Sequence, residues 1–153
     1  MNRALLLSLA FTCLAHLFAQ PTPKPDDVKS ADAIVAAVYD VISGPAGQKR
    51  DWDRMRSLFA PSAQMSAVVR RAGADSATRV VMSVEDYIKN SGPVLESRGF
   101  FEKEIARRIE TFGGITHAWS TYEARAKADD AKPMMRGINS IQLMNDGKRW
   151  WVV

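Results

Sequence analysis

Apolar residues recur at helical spacing in the first half of this chain and alternate with polar ones in the second. From Val28 to Ser43, Ala31, Ile34, Val35, Val38 and Val41-Ile42 follow the period of a helix with one buried face. Asp26 and Asp27 favour its start, and Gly44-Pro45 stops it. DWDRMRSLFA predicts a second helix, with Asp51 as N-cap, Trp52, Met55 and Phe59 on one side, and Pro61 as its end. AQMSAVVRRAG and TRVVMS predict a short hairpin whose Arg70-Arg71 pair suits an edge. Ser83 with Asp86 resembles a capping box for a third helix, VEDYIKNSGPVLESRG, with a kink or break at Gly92-Pro93.

FFEKEIARRIETF satisfies both periods. Gly99 before it and Gly113-Gly114 after it favour a strand, with a continued helix as the alternative. ITHAWSTYEARA, RGINSIQLM and RWWVV then alternate as strands, and Asp146-Gly147 is a two-residue hairpin signal that sets Leu143 opposite Trp150 and Ile141 opposite Val152. One face then carries Asn139, Ile141, Leu143, Trp150 and Val152, joined by Ala118, Ser120 and Tyr122. The other carries Ser140, Gln142, Met144, Trp151 and Val153, joined by His117, Trp119 and Thr121; a slip of one residue would exchange them. The first face is the drier, which implies an α+β domain with about three N-terminal-side helices covering one surface of an antiparallel sheet. Aromatic residues left on the second face, Trp119 and Trp151, predict a homodimer through it.

Composition limits the chemistry. The chain has 153 residues, 46% of them hydrophobic and 25% charged, the balance of one globular domain. Arg3, the apolar run Ala4–Phe18 and then Ala19-Gln20-Pro21 have the layout of a secretory signal peptide cleaved near Ala19, an uncleaved anchor being the alternative. The division expected is a leader over 1–20, a Pro-rich tether over 21–27 and a domain over 28–153, secreted or periplasmic, with no membrane association after cleavage. Cys13 and His16 leave with the leader, so disulfides, thiol nucleophiles and Cys/His zinc sites are excluded, and neither metal nor cofactor is expected. A net charge of +4 without a concentrated basic stripe argues against a nucleic-acid partner.

Helices, a break and a long meander ending in a Trp-containing strand resemble the nuclear transport factor 2-like superfamily, which includes ketosteroid isomerase, scytalone dehydratase and SnoaL-like cyclases. DWDRMRSLFAPSAQM, WSTYEAR and RGINSIQLMNDGKRWWVV carry the resemblance, which spans Val28 to the end. It implies a cone-shaped curved sheet wrapped on the helices, an internal pocket and frequent dimerisation. Isomerase-like members place an acidic general base where this chain has Ala63-Gln64-Met65-Ser66-Ala67, and similar chains run a few residues beyond Val153.

The pocket expected from these faces is lined by Tyr39, Trp52, Ser120, Tyr122, Asn139 and Trp150. Asn139 can orient a ligand carbonyl or hydroxyl, or make a structural hydrogen bond. Tyr122 can donate to a developing oxyanion, or pack as a core tyrosine. His117 is a general-base candidate because imidazole is the side chain suited to proton transfer at neutral pH, although its register turns it away from the cavity. Glu123 is expected to pair with an arginine. The leading expectation is an exported domain binding a small apolar or amphipathic molecule. The alternatives are a cofactor-independent SnoaL-like lyase, isomerase or cyclase using Tyr122, Asn139 and His117, and an interaction module working through its outer tryptophans.

Overall fold

The structure, a computed structural model, describes residues 20–153. The expected leader and its cleavage point at Ala19 lie outside the described residues. Order begins inside the stretch that reads as a tether: α1 (Pro25–Val28) is a single turn with proline at its start, where a missing N–H costs nothing. Buried Asp27 anchors it, accepting from Arg54 Nε at 2.7 Å and from its terminal nitrogen at 2.9 Å. Ser30 then accepts from the Ala33 amide and opens α2 (Ala31–Ile42), which buries Ile34, Val35, Tyr39 and Val41.

Asp51 caps α3 (Trp52–Leu58) by accepting from the Arg54 amide. Between α2 and α3, buried Arg50 donates to the carbonyls of Ile42, Gly44, Gln48 and Leu95 at 2.6–3.1 Å. One planar fork thereby satisfies the loop carbonyls of Gly44 and Gln48 and ties the loop to the end of α2 and to Leu95.

The hairpin of β1 (Gln64–Val69) and β2 (Thr78–Ser83) forms its own two-stranded sheet, followed by α4 (Val84–Arg98) with the expected capping box at Ser83 and Asp86. No break occurs at Gly92-Pro93; α4 runs through both. Gly92 lies against the Trp52 indole, where an added Cβ would come within 3.0 Å, so packing on α3 holds the segment that sequence reads as a breaker.

A four-stranded antiparallel sheet completes the α+β fold in the order β3 (Phe101–Phe112), β4 (Ile115–Arg125), β5 (Met135–Asn145), β6 (Trp150–Val152). The last hairpin departs from its expected register. Asn145 pairs with Trp150 and Leu143 with Val152, so the connection spans Asp146–Arg149 rather than two residues. Asn145 Oδ1 accepts from the Gly147 amide, and Asp146 Oδ1 from those of Lys148 and Arg149. These side chains close a wider loop than Asp-Gly alone would. The displacement is two residues, so no side chain changes face.

Ala118, Ser120, Ile141, Leu143 and Val152 are buried beneath the helices, in one core with Ile34, Val35, Met55, Leu58 and Phe59. Trp119 is 46% and Ile138 63% exposed on the opposite surface.

Candidate functional site

Tyr39 sits one helical turn before the end of α2, which points its phenol across the sheet at Ser120, 2.7 Å away. The Asn139 amide nitrogen on β5 donates to the same phenol oxygen at 3.1 Å and to Glu102 Oε1 on β3 at 3.3 Å. Ser120 donates to Glu104 Oε1, and Glu104 is held in a fork by Arg107, at 2.8 and 2.6 Å. Arg107 also pairs with Asp32 on α2. Three strands and one helix thus bring two carboxylates, two hydroxyls and one amide into a single chain of hydrogen bonds.

The register of β3 makes this possible. Glu104 pairs with Tyr122, but Ala106 pairs with Thr121, leaving Ile105 as a one-residue bulge. The bulge resets the alternation, so Glu102, Glu104 and Arg107 all face the helices although Arg107 is an odd number of residues from Glu104. Without it the arginine would point outward.

The two carboxyls differ because their neighbours do. Burial pushes Glu102 up to about 7, and the Asn139 hydrogen bond only partly opposes this; no cation lies against it among the described residues. Burial acts on Glu104 in the same direction, but the bonds from Arg107 and Ser120 and the Arg107 charge outweigh it and hold Glu104 below the usual carboxylate range. Near neutrality one is half protonated and the other ionised. Around Glu102 stand three tyrosines whose phenols are raised, first by burial and then by the Glu102 charge: Tyr39, Tyr122 and Tyr87, the last to about 12. They stay protonated at physiological pH and can act only as neutral groups.

Among the described residues every side-chain nitrogen or oxygen sealed from solvent has a hydrogen-bond partner. Glu102 Oε2, Asn139 Oδ1 and the Tyr122 and Tyr87 hydroxyls make no hydrogen bond to another described group, and their residues are only partly buried. It follows that none of the four is completely sealed from solvent. A cleft of about 430 Å³ is lined by Tyr39, Glu102 and Glu104, with Ser43, Lys103 and Arg125 beside them; Ser120, Tyr122, Asn139 and Tyr87 do not line it.

Of the residues expected from sequence to line a pocket, Tyr39, Ser120 and Asn139 belong to the bonded chain. The Tyr122 ring lies 6.4 Å from that of Tyr39 and passes over Gly137, where a Cβ would stand 2.5 Å from the phenol oxygen. Trp52 turns to α4, donating to Glu96 Oε1 at 2.9 Å, and Trp150 packs against the core; neither lines the cleft. His117 faces the other side, bonded to Ser140 and edge-on to Trp119. Glu123 pairs with Arg125 and Arg136.

Glu102, Glu104 and Tyr87 were not legible as site residues. Phe101, Ile105 and Ile109 share one parity, and reading the apolar set as buried sends the glutamates outward, whereas Ile105 and Ile109 are nearly half exposed. The available signal was two glutamates two apart on a strand beside the expected pocket.

Among the described residues no three His, Cys, Asp or Glu side chains are grouped to hold a metal ion, and no helix is long and apolar enough to cross a membrane. Searches of family models, curated proteins and solved structures found no match to the chain.

Proposed function

We propose that this chain is an exported small-ligand-binding domain of the nuclear transport factor 2-like kind, taking an amphipathic molecule whose carbonyl or hydroxyl oxygen meets Glu102, Tyr87 and Tyr122. The observation that carries this reading is a half-buried carboxyl lining a cleft, with no counter-ion among the described residues and with hydroxyls and an amide near it that are not sealed from solvent. A carboxyl held there costs stability in its ionised form, and a ligand oxygen that accepts from its protonated form offsets the cost. Glu102→Gln keeps a donor and removes the titration. Binding of an aromatic carbonyl probe, followed by ligand-observed NMR, is expected to weaken as pH rises through 7 in the native chain and to become pH-independent in the variant. A native chain whose affinity is flat from pH 5 to 9 would remove the role given to Glu102.

A second reading, a cofactor-independent lyase or isomerase, is favoured by the same group, since a carboxyl titrating at about 7 is matched to proton transfer near neutrality. Turnover abolished in Glu102→Gln with probe affinity retained is its signature. The outer face with Trp119 and Trp151 is the proposed homodimer contact, and light scattering at micromolar concentration tests it.

A further inference from the structure

The hydrogen-bond chain has a direction, set at its charged end. Glu104 lies against the Arg107 guanidinium and accepts two bonds from it, so it is an acceptor toward Ser120. The single Ser120 proton is therefore spent on Glu104, and the Tyr39 hydroxyl must supply the proton of the 2.7 Å Tyr39–Ser120 bond. With its own proton committed, the Tyr39 oxygen can only accept from Asn139. That requirement fixes which way round the Asn139 amide sits: its NH2 group faces Tyr39 and Glu102, and its carbonyl Oδ1 faces away from both. Asn139 Oδ1 is not sealed from solvent, by the burial argument above.

We propose that Arg107, acting through Glu104, Ser120 and Tyr39, locks the Asn139 amide carbonyl-outward, so that the site demands a hydrogen-bond donor on its ligand as well as the oxygen that meets Glu102. This deepens, and rests on, the ligand-binding reading of the site. The class of molecule is then a carboxamide, lactam or hydroxy-carbonyl compound, and a simple ketone or ester of the same shape is discriminated against. Discrimination arises because a ligand without the donor covers Oδ1 and leaves it unpaired, the asymmetry that makes polar pockets selective. Arg107 is a positioning residue here, since it touches Glu104 and Asp32 and acts on the ligand only through the chain.

Benzamide and acetophenone form a matched probe pair, alike in shape and differing in the NH2 donor. By ligand-observed NMR at pH 6 the native protein is expected to bind benzamide about tenfold more tightly, the effect of one hydrogen bond. In Arg107→Gln burial is no longer opposed by the arginine and favours protonated Glu104, which can donate to Ser120 and reverse the chain; the amide can then turn its NH2 outward, so the ratio falls toward one while acetophenone affinity stays within about twofold. Arg107→Lys, which keeps the charge on Glu104, restores much of the ratio. Circular dichroism checks the fold of each variant, and Ser120→Ala breaks the same chain at its next link if Arg107→Gln fails to fold. Equal binding of the two probes by the native protein overturns the donor requirement and leaves the ligand-binding reading standing. An unchanged ratio in folded Arg107→Gln or Ser120→Ala overturns the arm. Binding of neither probe removes the parent reading and this inference with it.

Discussion

The two faces of the four-stranded sheet treat charge in opposite ways. On the outer face Glu123 is gripped by Arg125 and Arg136, and Asp146 accepts from the Trp151 indole at 2.8 Å and from two turn amides, which holds it at about 2. Arg149 lies 3.6 Å over the Trp151 ring. Each acid is met by donors and stays ionised. On the inner face Glu102 is half-buried near three tyrosines, among the described residues its side chain has only an amide for a partner, and it rises. A carboxylate answered by arginines stabilises a strand end; one left without a cation has a perturbed titration, which is the feature the proposed ligand-binding reading uses.

The contrast between faces can be broken first at the core. Leu143→Ala, at a fully buried position of β5, is expected to lose about 3–4 kcal/mol in urea denaturation. Ile138→Ser, five residues away on the outer face, is expected to stay within about 0.5 kcal/mol in the same measurement. Similar losses at both positions would erase the distinction.

Titration gives the next largest effect. The folded Glu102 carboxyl keeps its proton up to about 7, whereas the unfolded one releases it near 4.5. Between those values the folded chain binds more protons, so this group makes stability fall as pH rises, by roughly 2 kcal/mol after allowing for screening at a partly open site. Its contribution is fully present below 4.5 and gone above 7. Glu102→Gln is expected to flatten that part of the stability profile, read from urea midpoints at pH 4, 6 and 8; an unchanged slope would contradict the assignment.

A smaller change sharpens the comparison at one contact. Gly137→Ala sets a methyl group against the Tyr122 phenol and should cost about 1–2 kcal/mol while displacing the ring, visible in its aromatic NMR signals. An alanine added on the outer face, by Ser140→Ala, leaves those signals in place and costs only the His117 bond.

Much of the frame was readable because it rests on local rules. The end of α2, the α3 span, the capping box of α4 and the inner set Ala118, Ser120, Asn139, Ile141 and Leu143 follow from periods of 3.6 and 2 and from caps, whereas α2 starts at Ala31 under a Ser30 cap, three residues after the expected Val28. Even the misplaced turn did no harm to the face assignment, since a two-residue shift preserves parity. Asp27 was less legible, because a residue in a proline-rich stretch gives no sign of the Arg54 fork that secures it.

By itself, then, the sequence determined an α+β chain, one dry sheet face, and three of the polar residues that meet at it, Ser120 and Asn139 on the sheet and Tyr39 on the helix above. Only the tertiary structure decided that β3 bulges at Ile105, that Glu102, Glu104 and Arg107 consequently join those residues, and that one glutamate meets an arginine while the other meets none. The reason is physical: alternation fixes which residues share a face within a strand, but a one-residue bulge and the choice of counter-ion depend on what the neighbouring strand and helix bring to the same place.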